Sequence, residues 1–585
     1  MAGVLSPWQP AAPFPPTVRR AFPRCLLALT LFAAVAAAAP KTLVKHFSIP
    51  VPMRDGVRLS ANIYLASENV KVPAILVRTP YGKGADITPH YQAFVEHGYA
   101  VVVQDVRGRY ESEGAFEPLT QEVHDGDDTL NWVAHQPWCN GKIGMMGGSY
   151  VGIVQWKAAL ANNPHLKAIF PVVSGYDDYR DRYYSTGGAL KLGNRLEWMA
   201  ENLRAPGYRQ DFGKYILHLP VRSADVAALG WTSPLFREVI EHPAFDSFWR
   251  AISTREHLDK IRVPVFSVGG WYDNFVQSDL EAFTELHKRS GVNRVLIGPW
   301  PHNMTAVLEH ANFGTDSTIP IRALQMEWFD QWLKEKDSSL LSKPPVKIFV
   351  MGANKWREEQ QWPPADARLK TFYLSSNGKA NSLGGDGALN DKAPKNTQAD
   401  QFVFDPYVPV PTRGGAVCCN PKVFPWGPMD QRGVEQRKDV LVYSTKPLKR
   451  DLEVIGSVHA VLYIASTARD TDFTAKLVDV FPDGRAINLT DGILRLRYRN
   501  SLEKPELAKP GEIYRVTVDA GVTGNVFLKG HRIRLEVSSS NFPRFDRNAN
   551  TGGPVEQAAQ LVKATQTIYH DPARPSSLML MAMEQ

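Results

Sequence analysis

Short apolar runs alternate with helical patterns between residues 40 and 175, and no other feature constrains the fold as strongly. The runs Val72–Arg78, Tyr99–Gln104 and Lys142–Gly147 are apolar along most of their length instead of at every second residue. Strands of this kind are buried on both faces, as in a parallel sheet with helices on each side. Helical spacing between the runs, as over Val123–His135, supplies such helices. The sequence therefore predicts an α/β fold for residues 40–175.

The chain is too long for one hydrophobic core, and its 585 residues divide into segments of different character. Residues 176–258 carry helical pieces rich in Tyr, Arg, Trp and Leu, which predict a helical cap inserted into the α/β core. The α/β pattern resumes over residues 259–340. Beyond a polar linker, residues 345–585 contain many short strands of alternating polarity, which predict a C-terminal β-sandwich of the jelly-roll type.

Residues 1–39 have the organisation of a secretory signal peptide. Arg19, Arg20 and Arg24 precede the apolar run Leu26–Ala36, and a series of alanines ends it. The run is short for a membrane span, although an uncleaved anchor is the alternative. The sequence predicts a secreted or periplasmic protein with no membrane span after cleavage. These arginines account for part of the formal charge of +7, and no Lys/Arg stripe indicates a nucleic-acid partner.

Cysteine usage indicates neither a disulfide framework nor a metal site. Cys25 falls in the leader, so Cys139, Cys418 and Cys419 allow at most one internal disulfide. The adjacent pair could form a vicinal bridge, but we favour two loop thiols of no mechanistic role. No Cys/His grouping has the spacing of zinc ligands, and we expect no cofactor.

The segment around Ser149 has the features of a catalytic serine. The buried strand Lys142–Gly147 runs into the glycine-rich turn Gly147–Gly152, and a helical pattern follows. A serine at such a junction presents its hydroxyl above the sheet, and small neighbours relieve the crowding. The turn departs from the pattern G-x-S-x-G, because position 151 is Val and the second glycine is Gly152. Taken alone, this motif is weak evidence for a catalytic serine. The interpretation therefore depends on whether the chain also offers an acid and a histidine in suitable positions.

A serine hydroxyl becomes a good nucleophile when a base removes its proton, and in hydrolases of this type an acid and then a histidine follow the serine along the chain. Asp273 ends the segment Gly269–Asp273 that follows the apolar strand at 263–268, and His302 ends the segment Gly298–His302 that follows the strand at 294–297. Asp273 could alternatively cap the helix after it. The order predicts Ser149 as nucleophile, His302 as general base and acid, and Asp273 as the orienting acid.

The oxyanion formed by acyl transfer needs preorganised donors. The backbone N–H of Tyr150, which follows the nucleophile, is one expected donor. The loop at 79–83 lacks the Gly-Gly run that would bring a second amide close, and it offers the phenol of Tyr81 instead. The alternative for Tyr81 is an exposed turn tyrosine.

Several short motifs, spread from the α/β core to the C-terminal region, together resemble one known family. They are Arg78–Tyr81, Asp105–Arg109, Ser112–Gly114, Pro137–Gly141, Gly148–Gly152, Gly270–Asp273, Gly298–His302, Asp405–Gly415, Asp470–Asp472, Gly530–Arg532 and Ser539–Pro543. The family is that of cocaine esterases and X-Pro dipeptidyl-peptidases (CocE/NonD hydrolases), which includes α-amino-acid ester hydrolases and glutaryl-cephalosporanate acylases. The resemblance implies an α/β-hydrolase core, a helical cap, a C-terminal jelly roll, the triad above and an oxyanion donor in the Tyr81 hydroxyl.

The same resemblance bears on the substrate. Members that bind a free α-amino group carry acids shortly after the catalytic aspartate, and Asp273 is followed by Asn274, Phe275 and Val276. Asp181, in the cap, is one acid that remains, although a salt bridge with a neighbouring arginine (180 or 182) is its commoner role.

The residues Tyr183 and Phe275 fall where cocaine-esterase-like members place aromatic side chains around the acyl group. An apolar, aromatic substrate pocket is implied. The leading hypothesis is an ester or amide hydrolase that acts on small molecules through an acyl-enzyme. The alternatives are an X-Pro dipeptidyl-peptidase or α-amino-acid ester hydrolase, and an inactive scaffold that binds a partner. The acyl group and the oligomeric state, a homo-oligomer included, stay open.

Overall fold

A computed structural model describes residues 43–395 and 398–584, so the predicted signal peptide lies outside the described residues. The first part of the described chain forms one mixed sheet. Its strands are β1 (Val44–Pro52), β2 (Arg58–Leu65), β3 (Val72–Thr79), β4 (Ala100–Asp105), β5 (Cys139–Gly148), β6 (Leu166–Val172), β7 (Phe266–Tyr272), β8 (Arg294–Pro301), β9 (Val346–Val350) and β10 (Lys355–Glu359). They lie in the order β1-β2-β4-β3-β5-β6-β7-β8-β9-β10, and those from β4 to β9 in this order are parallel.

Helices cover both faces of this sheet. The helices of the described chain are α1 (Pro89–Glu96), α2 (Glu122–Ala134), α3 (Tyr150–Leu160), α4 (Leu192–Asn202), α5 (Phe212–Tyr215), α6 (Ala224–Leu229), α7 (Pro234–Glu241), α8 (Ser247–Ile252), α9 (Val276–Ser290), α10 (Ile321–Leu333) and α11 (Arg432–Glu435). Leu76 and Val102 pack with α2 and α3 on one face, and Ile75 and Val101 pack with α1 and α10 on the other. Successive residues of a strand point to opposite faces, which explains the continuous apolar runs.

The residues between β6 and β7 are helical, as predicted for the cap. A one-turn π-helix, Asp178–Tyr183, is followed by α4 to α8. Tyr184, Leu196, Phe236 and Trp249 belong to a hydrophobic cluster of this segment. Short 3-10 helices occur at Val221–Ser223, Arg255–Lys260, Thr315–Ser317, Ser339–Ser342, Leu496–Tyr498 and Val555–Gln557. The predicted domain boundaries themselves stay a prediction.

The C-terminal part of the described chain is built almost entirely from strands, which confirms the predicted all-β region. These strands are β11 (Ala367–Ser375), β12 (Ala388–Asn390), β13 (Asp400–Phe404), β14 (Leu441–Ser444), β15 (Leu452–Ser466), β16 (Asp472–Val480), β17 (Ala486–Arg495), β18 (Tyr514–Phe527), β19 (Arg532–Ser538), β20 (Ala564–Asp571), β21 (Arg574–Pro575) and β22 (Ser577–Met583). The long strand β15 pairs with β18, β20 and β22 at different points along its length. It therefore holds several parts of this region together.

Two strands after the linker do not join that C-terminal sheet. Strand β9 pairs with β8 in parallel, and β10 pairs with β9, so residues 346–359 complete the sheet of the α/β core. These residues fall in the region predicted as the C-terminal β domain, and where the boundary between the domains lies stays a prediction. The apolar residues of β9 are buried like those of the core strands, and the sequence pattern alone does not say which sheet they join.

Across residues 43–395 and 398–584, no helix is both long enough and apolar enough to cross a membrane. In the same residues, no group of three or more His, Cys, Asp or Glu side chains is arranged to hold a metal ion.

Candidate active site

Ser149 occupies the sharp turn between β5 and α3. Its backbone has φ 58° and ψ −127°, a conformation that side-chain-bearing residues rarely adopt and that stores strain at functional sites. A Cβ on Gly147 would collide with the side chain of Val151, and a Cβ on Gly152 would collide with that of Ser174. Position 152 must therefore be small because the first turn of α3 packs against the residues after β6. This contact explains why position 152 is a glycine.

The structure brings Ser149, His302 and Asp273 together. His302 Nε2 lies 3.0 Å from Ser149 Oγ, and His302 Nδ1 lies 2.7 Å from Asp273 Oδ1. Asp273 follows β7 and His302 follows β8, so both residues leave the carboxyl ends of adjacent parallel strands. A carboxylate only accepts hydrogen bonds, so Nδ1 carries the proton and Nε2 presents its lone pair to the serine hydroxyl. This is the arrangement in which a histidine can take the proton of a serine.

The alternative that Asp273 caps the following helix is not realised. Helix α9 begins at Val276, and Phe275 precedes it without any side-chain cap. The Asp273 side chain is fully buried, and one of its oxygens is bound by His302. The other oxygen, Oδ2, has no hydrogen-bond partner among the described residues.

Tyr150 is the first residue of α3, which leaves its backbone N–H without an acceptor inside the helix. Its phenol donates a hydrogen bond to Glu122 Oε1 at 2.7 Å, and Glu122 Oε2 accepts from Arg78 Nη1 at 2.7 Å. Burial, and second the charge of Glu122, raise the pKa of the Tyr150 phenol well above its usual value, which keeps it a donor. A buried network thus anchors the residue whose amide lies beside Ser149.

Tyr81 lies in the turn after β3 and lines the same pocket as Ser149. The indole N–H of Trp198 donates a hydrogen bond to the Tyr81 hydroxyl oxygen at 3.2 Å. Because an indole nitrogen can only donate, the proton of the Tyr81 hydroxyl stays free to donate elsewhere. Tyr81 is 37% exposed, which is typical of a tyrosine in a surface turn. Its hydroxyl, however, is held in the pocket by the hydrogen bond from Trp198.

The pocket over Ser149 has a volume of about 410 Å³, part of which is open to solvent. It is lined by Tyr81, Pro118, Ser149, Tyr150, Ile153, Arg182, Tyr183, Arg195, Trp198, Phe275, Cys418 and Cys419. Both aromatic residues expected around the acyl group, Tyr183 and Phe275, are present and buried. The ring of Phe275 lies 5.8 Å from that of His302, and Trp198 stacks on Tyr150 at 6.2 Å.

The cysteines overturn an expectation. Cys418 and Cys419 form a disulfide, and both line the pocket, whereas loop thiols of no consequence were expected. The neighbouring Asn420 donates a hydrogen bond to Glu201 Oε1 of α4 at 2.7 Å, which ties this C-terminal loop to the cap. Adjacency was the only signal in the sequence, and it gave no indication that the loop reaches the active site. Cys139 is free and buried, and burial raises the pKa of its thiol.

Asp181 is not among the residues that line the pocket, and the salt bridge expected for it is absent. Its carboxylate accepts hydrogen bonds from the backbone N–H groups of Tyr176 and Asp177, because the π-helix turns it back toward them. Arg180 pairs with Asp177 instead, and Arg182 pairs with another aspartate. Burial, and second the charge of Asp177, raise the pKa of the Asp181 carboxyl above its usual value.

Sequence reasoning missed several residues of this pocket. They are Pro118, Ile153, Arg182, Arg195 and Trp198. The arginines and Trp198 come from the helical cap, where no strand end or glycine turn marks a functional position. The sequence did show arginines among aromatic residues in helical segments. That pattern is equally typical of a helix face exposed to solvent, so it did not indicate a pocket.

Two family models match the chain. One, described as X-Pro dipeptidyl-peptidase (S15 family), matches residues 55–304. The other, described as the X-Pro dipeptidyl-peptidase C-terminal non-catalytic domain, matches residues 341–579. Between them the two models span both the α/β core with its cap and the C-terminal region.

Individual proteins resemble the chain over nearly its full length. Cocaine esterase from Rhodococcus sp. (strain MB1 Bresler) is 41% identical over 563 residues, which are 91% of this chain and 97% of that protein. An α-amino acid ester hydrolase of known structure superposes with a TM-score of 0.81 at 26% identity, covering 95% of this chain and all (100%) of that one. An aminopeptidase from the marine sediment archaeon Thaumarchaeota archaeon gives a TM-score of 0.80 at 26% identity, covering 93% and 96%.

Proposed function

This chain belongs to the cocaine-esterase and X-Pro dipeptidyl-peptidase family of serine hydrolases, and we propose that it cleaves carboxylic esters or amides through an acyl-enzyme on Ser149. The observation that carries the proposal is the hydrogen-bonded series from Ser149 through His302 to Asp273. The 41% identical relative is an esterase, which makes esters the first substrates to test.

The proposed reaction begins with attack of Ser149 Oγ on the acyl carbonyl carbon. His302 Nε2 takes the serine proton as the C–O bond forms, and Asp273 stabilises the imidazolium that results. His302 then protonates the leaving alkoxide or amine as its bond to the carbonyl carbon breaks. The same nitrogen then takes a proton from a water molecule, whose oxygen attacks the acyl carbon of the acyl-enzyme. The bond between that carbon and Ser149 Oγ breaks, His302 Nε2 gives the proton back to Oγ, and the acid is released.

Two donors would stabilise the tetrahedral oxyanion. The backbone N–H of Tyr150 is unused within its helix and also lies at the positive end of the α3 dipole. The Tyr81 hydroxyl supplies the second donor, since Trp198 occupies its oxygen and leaves its proton free. Donors of this kind act most strongly where water is excluded, as under the aromatic residues of this pocket.

The pocket chemistry disfavours substrates with a free α-amino group. Recognition of an ammonium group needs a carboxylate, and none of the described residues that line the Ser149 pocket is acidic. Arg195, which does line it and has no ion pair with a described residue, would repel an ammonium group. We therefore expect a 4-nitrophenyl ester to be cleaved far faster than an X-Pro 4-nitroanilide; the opposite order would favour the dipeptidyl-peptidase alternative.

A fluorophosphonate probe tests the nucleophile directly. We expect the purified protein to be labelled and the Ser149→Ala variant to be unlabelled and at least about 10⁴-fold slower in ester hydrolysis. Ser174→Ala is a matched control, because this serine lies against the elbow but carries no proposed role. Absence of labelling in the wild-type protein, or labelling that survives Ser149→Ala, would contradict the proposal.

We also propose that the protein is exported to the periplasm or the exterior, on the strength of the signal-peptide pattern in residues 1–39. The disulfide between Cys418 and Cys419 suits an oxidising compartment. Fractionation of cells that make the full chain, with N-terminal sequencing of the product, tests this. A product that stays in the cytoplasm with its leader intact would contradict it.

A further inference from the structure

The disulfide between Cys418 and Cys419 contributes little that the fold needs. In the chain-entropy account, a disulfide stabilises a protein by constraining the loop that it closes in the unfolded chain, and the gain grows with the length of that loop. These two cysteines are neighbours in the sequence, so their bond closes no loop of intervening residues. Both of them line the pocket that holds Ser149. The placement of the bond therefore points to a role in the pocket.

The loop that carries the disulfide is anchored around it. At the base of the loop, Gly415 and Gly427 donate backbone hydrogen bonds to each other at 2.7 and 3.0 Å. Beyond the cysteines, Asn420 is hydrogen-bonded to α4, and the ring of Phe424 stacks on that of Phe212 in α5 at 6.1 Å. A change at the disulfide therefore cannot be absorbed by movement of the whole loop.

Breaking the bond changes the surface of the pocket. Bonded sulfur atoms lie about 2 Å apart, whereas non-bonded heavy atoms in contact lie about 3.5 Å apart, so reduction separates the two sulfurs by about 1.5 Å. Cys418 is 1% exposed and has little room to move, whereas Cys419 is half-buried. The displacement therefore falls on Cys419, which lines the pocket.

The part of the pocket that changes is the part expected to hold the acyl group. The guanidinium of Arg195 lies 3.9 Å from Cys418 Sγ on one side and 5.7 Å from the ring of Tyr183 on the other. Tyr183 is one of the two aromatic residues expected around the acyl group. One side chain thus separates the disulfide from this ring. A bulky acyl group that fills this space contacts the displaced surface, whereas an acetyl group needs only the space next to Ser149.

The surroundings of the disulfide also favour its reduction by a small dithiol. A thiolate of the dithiol attacks Cys419 Sγ from the pocket, the S–S bond breaks, and its electron pair leaves on Cys418 Sγ. The Arg195 guanidinium beside that sulfur stabilises the leaving thiolate. The second thiol then attacks the mixed disulfide and releases Cys419. The dithiol becomes a cyclic disulfide, and its two protons end on the two cysteines.

We propose that the disulfide of Cys418 and Cys419 sets the acyl selectivity of the Ser149 pocket, and that a dithiol reductant switches it. The oxidised protein accepts bulky, aromatic acyl groups. The reduced protein loses them and keeps small ones. The proposal rests on the proposed function, since it concerns the acyl group that Ser149 acquires.

Two esters with the same leaving group, 4-nitrophenyl benzoate and 4-nitrophenyl acetate, report on the acyl side of the pocket. Their kcat/KM values are measured on the oxidised protein, on protein reduced with dithiothreitol and freed of the reagent, and on protein reoxidised with oxidised glutathione. The ratio of benzoate to acetate should fall tenfold or more on reduction, because a displacement of this size disturbs the position of the bulky group. It should return on reoxidation.

Variants assign the response to this pair of cysteines. The double variant Cys418→Ser/Cys419→Ser should have the low ratio of the reduced protein and should not respond to dithiothreitol. Cys139→Ala is the matched control, because Cys139 is a free, buried thiol in β5 outside the pocket. It should keep the ratio and the response of the wild type. The Tm of the oxidised and reduced proteins should differ little, because the bond closes no loop.

The proposal is overturned if the ratio stays unchanged or rises on reduction, if the double variant still responds, or if alkylation and mass spectrometry find no disulfide in the oxidised protein. If neither ester is hydrolysed above background, the proposed function fails. Binding of benzoate, measured by calorimetry on both forms, then decides about the disulfide by itself. We expect weaker binding to the reduced protein, and equal binding would overturn the proposal.

Discussion

The two sides of the pocket over Ser149, which we call the core wall and the cap wall, differ in whether their buried charges are paired. Behind the core wall, the side chains of Arg78 and Glu122 are 0% and 1% exposed and form an ion pair at 2.7 Å. Glu122 also accepts a hydrogen bond from the phenol of Tyr150, which does line the pocket. On the cap wall, Arg195 is nearly as deeply buried and has no ionic partner among the described residues. Paired charges hold the reacting groups in one geometry, whereas an unpaired charge is available to a ligand. We therefore expect substitutions behind the core wall to change stability and reaction rate, and substitutions on the cap wall to change which ligands the pocket accepts.

The largest expected effect tests the core wall at Asp273. Asp273→Asn should lower kcat for ester hydrolysis by about 10⁴-fold, because the amide cannot hold the histidine in the tautomer that accepts the serine proton. Asp279→Asn is the matched control, because Asp279 is a second buried carboxyl, on α9, whose pKa burial raises and which has no proposed role in the reaction, so the same substitution should change kcat little. A loss below tenfold in Asp273→Asn would remove Asp273 from the proposed triad.

The next effect tests whether the paired charges stabilise the core wall. Glu122→Gln leaves Asp125, at 3.8 Å, as the one acidic side chain of the described residues that pairs with the guanidinium of Arg78, and should lower the free energy of unfolding by about 3 kcal/mol. Urea denaturation measures this. The double variant Arg78→Met/Glu122→Met should recover much of the loss, because no unpaired charge remains. If the single variant is as stable as the wild type, the network does not act as a clamp.

A substitution at Tyr81 tests whether the core wall affects reaction rate without affecting selectivity. Tyr81→Phe should lower kcat by about 10²- to 10³-fold for charged and uncharged esters alike, because the lost donor acts on the oxyanion common to both. Parallel kinetics on one charged and one uncharged ester with the same leaving group measure this. A change of selectivity in Tyr81→Phe would mean that the two walls are not separate in function.

The smallest effect concerns Glu197 on the cap wall and depends on pH. Its pKa is about 8 in the folded protein, mainly because of burial, against about 4.3 in an unfolded chain. Between these values the unfolded chain has lost a proton that the folded chain keeps, so stability falls as the pH rises toward 8 and levels off above it. Glu197→Gln should remove this fall and be more stable at pH 8, on the order of 2 kcal/mol, with little change at pH 4. Thermal melts of the wild type and the variant at pH 4 and pH 8 check this prediction. If the variant changed the Tm equally at both pH values, the raised pKa of Glu197 would be contradicted.

The α/β core, and the positions of the three triad residues within it, could be predicted because they follow a local rule. Buried parallel strands are apolar along their length, and functional residues leave their carboxyl ends, so Ser149, Asp273 and His302 stand at recognisable places. The alternative of Asp273 as a helix cap was open in the sequence, because both roles place an aspartate before a helix.

The cap wall could not be predicted in the same way. Arg195 and Trp198 lie on one helix whose pattern does not show which face meets the pocket, and Cys418 and Cys419 arrive from more than 200 residues further along. Asp181 was expected in an ion pair, and the π-helix instead directs it to backbone amides. These contacts join segments that are far apart in the chain, and a local sequence pattern does not indicate which distant segments will meet.

The pairing of β8 with β9 has a consequence for biosynthesis. His302 follows β8, and the strand that covers the free edge of β8 is made from residues 346–350, which leave the ribosome only later. Trp271, two residues before Asp273, donates its indole N–H to the carbonyl oxygen of Phe349 in that same strand at 2.6 Å. A nascent chain that ends at residue 340 therefore holds all three triad residues but lacks the strand that seals their sheet. We expect such a chain to depend on chaperones and to remain inactive until translation has passed this point.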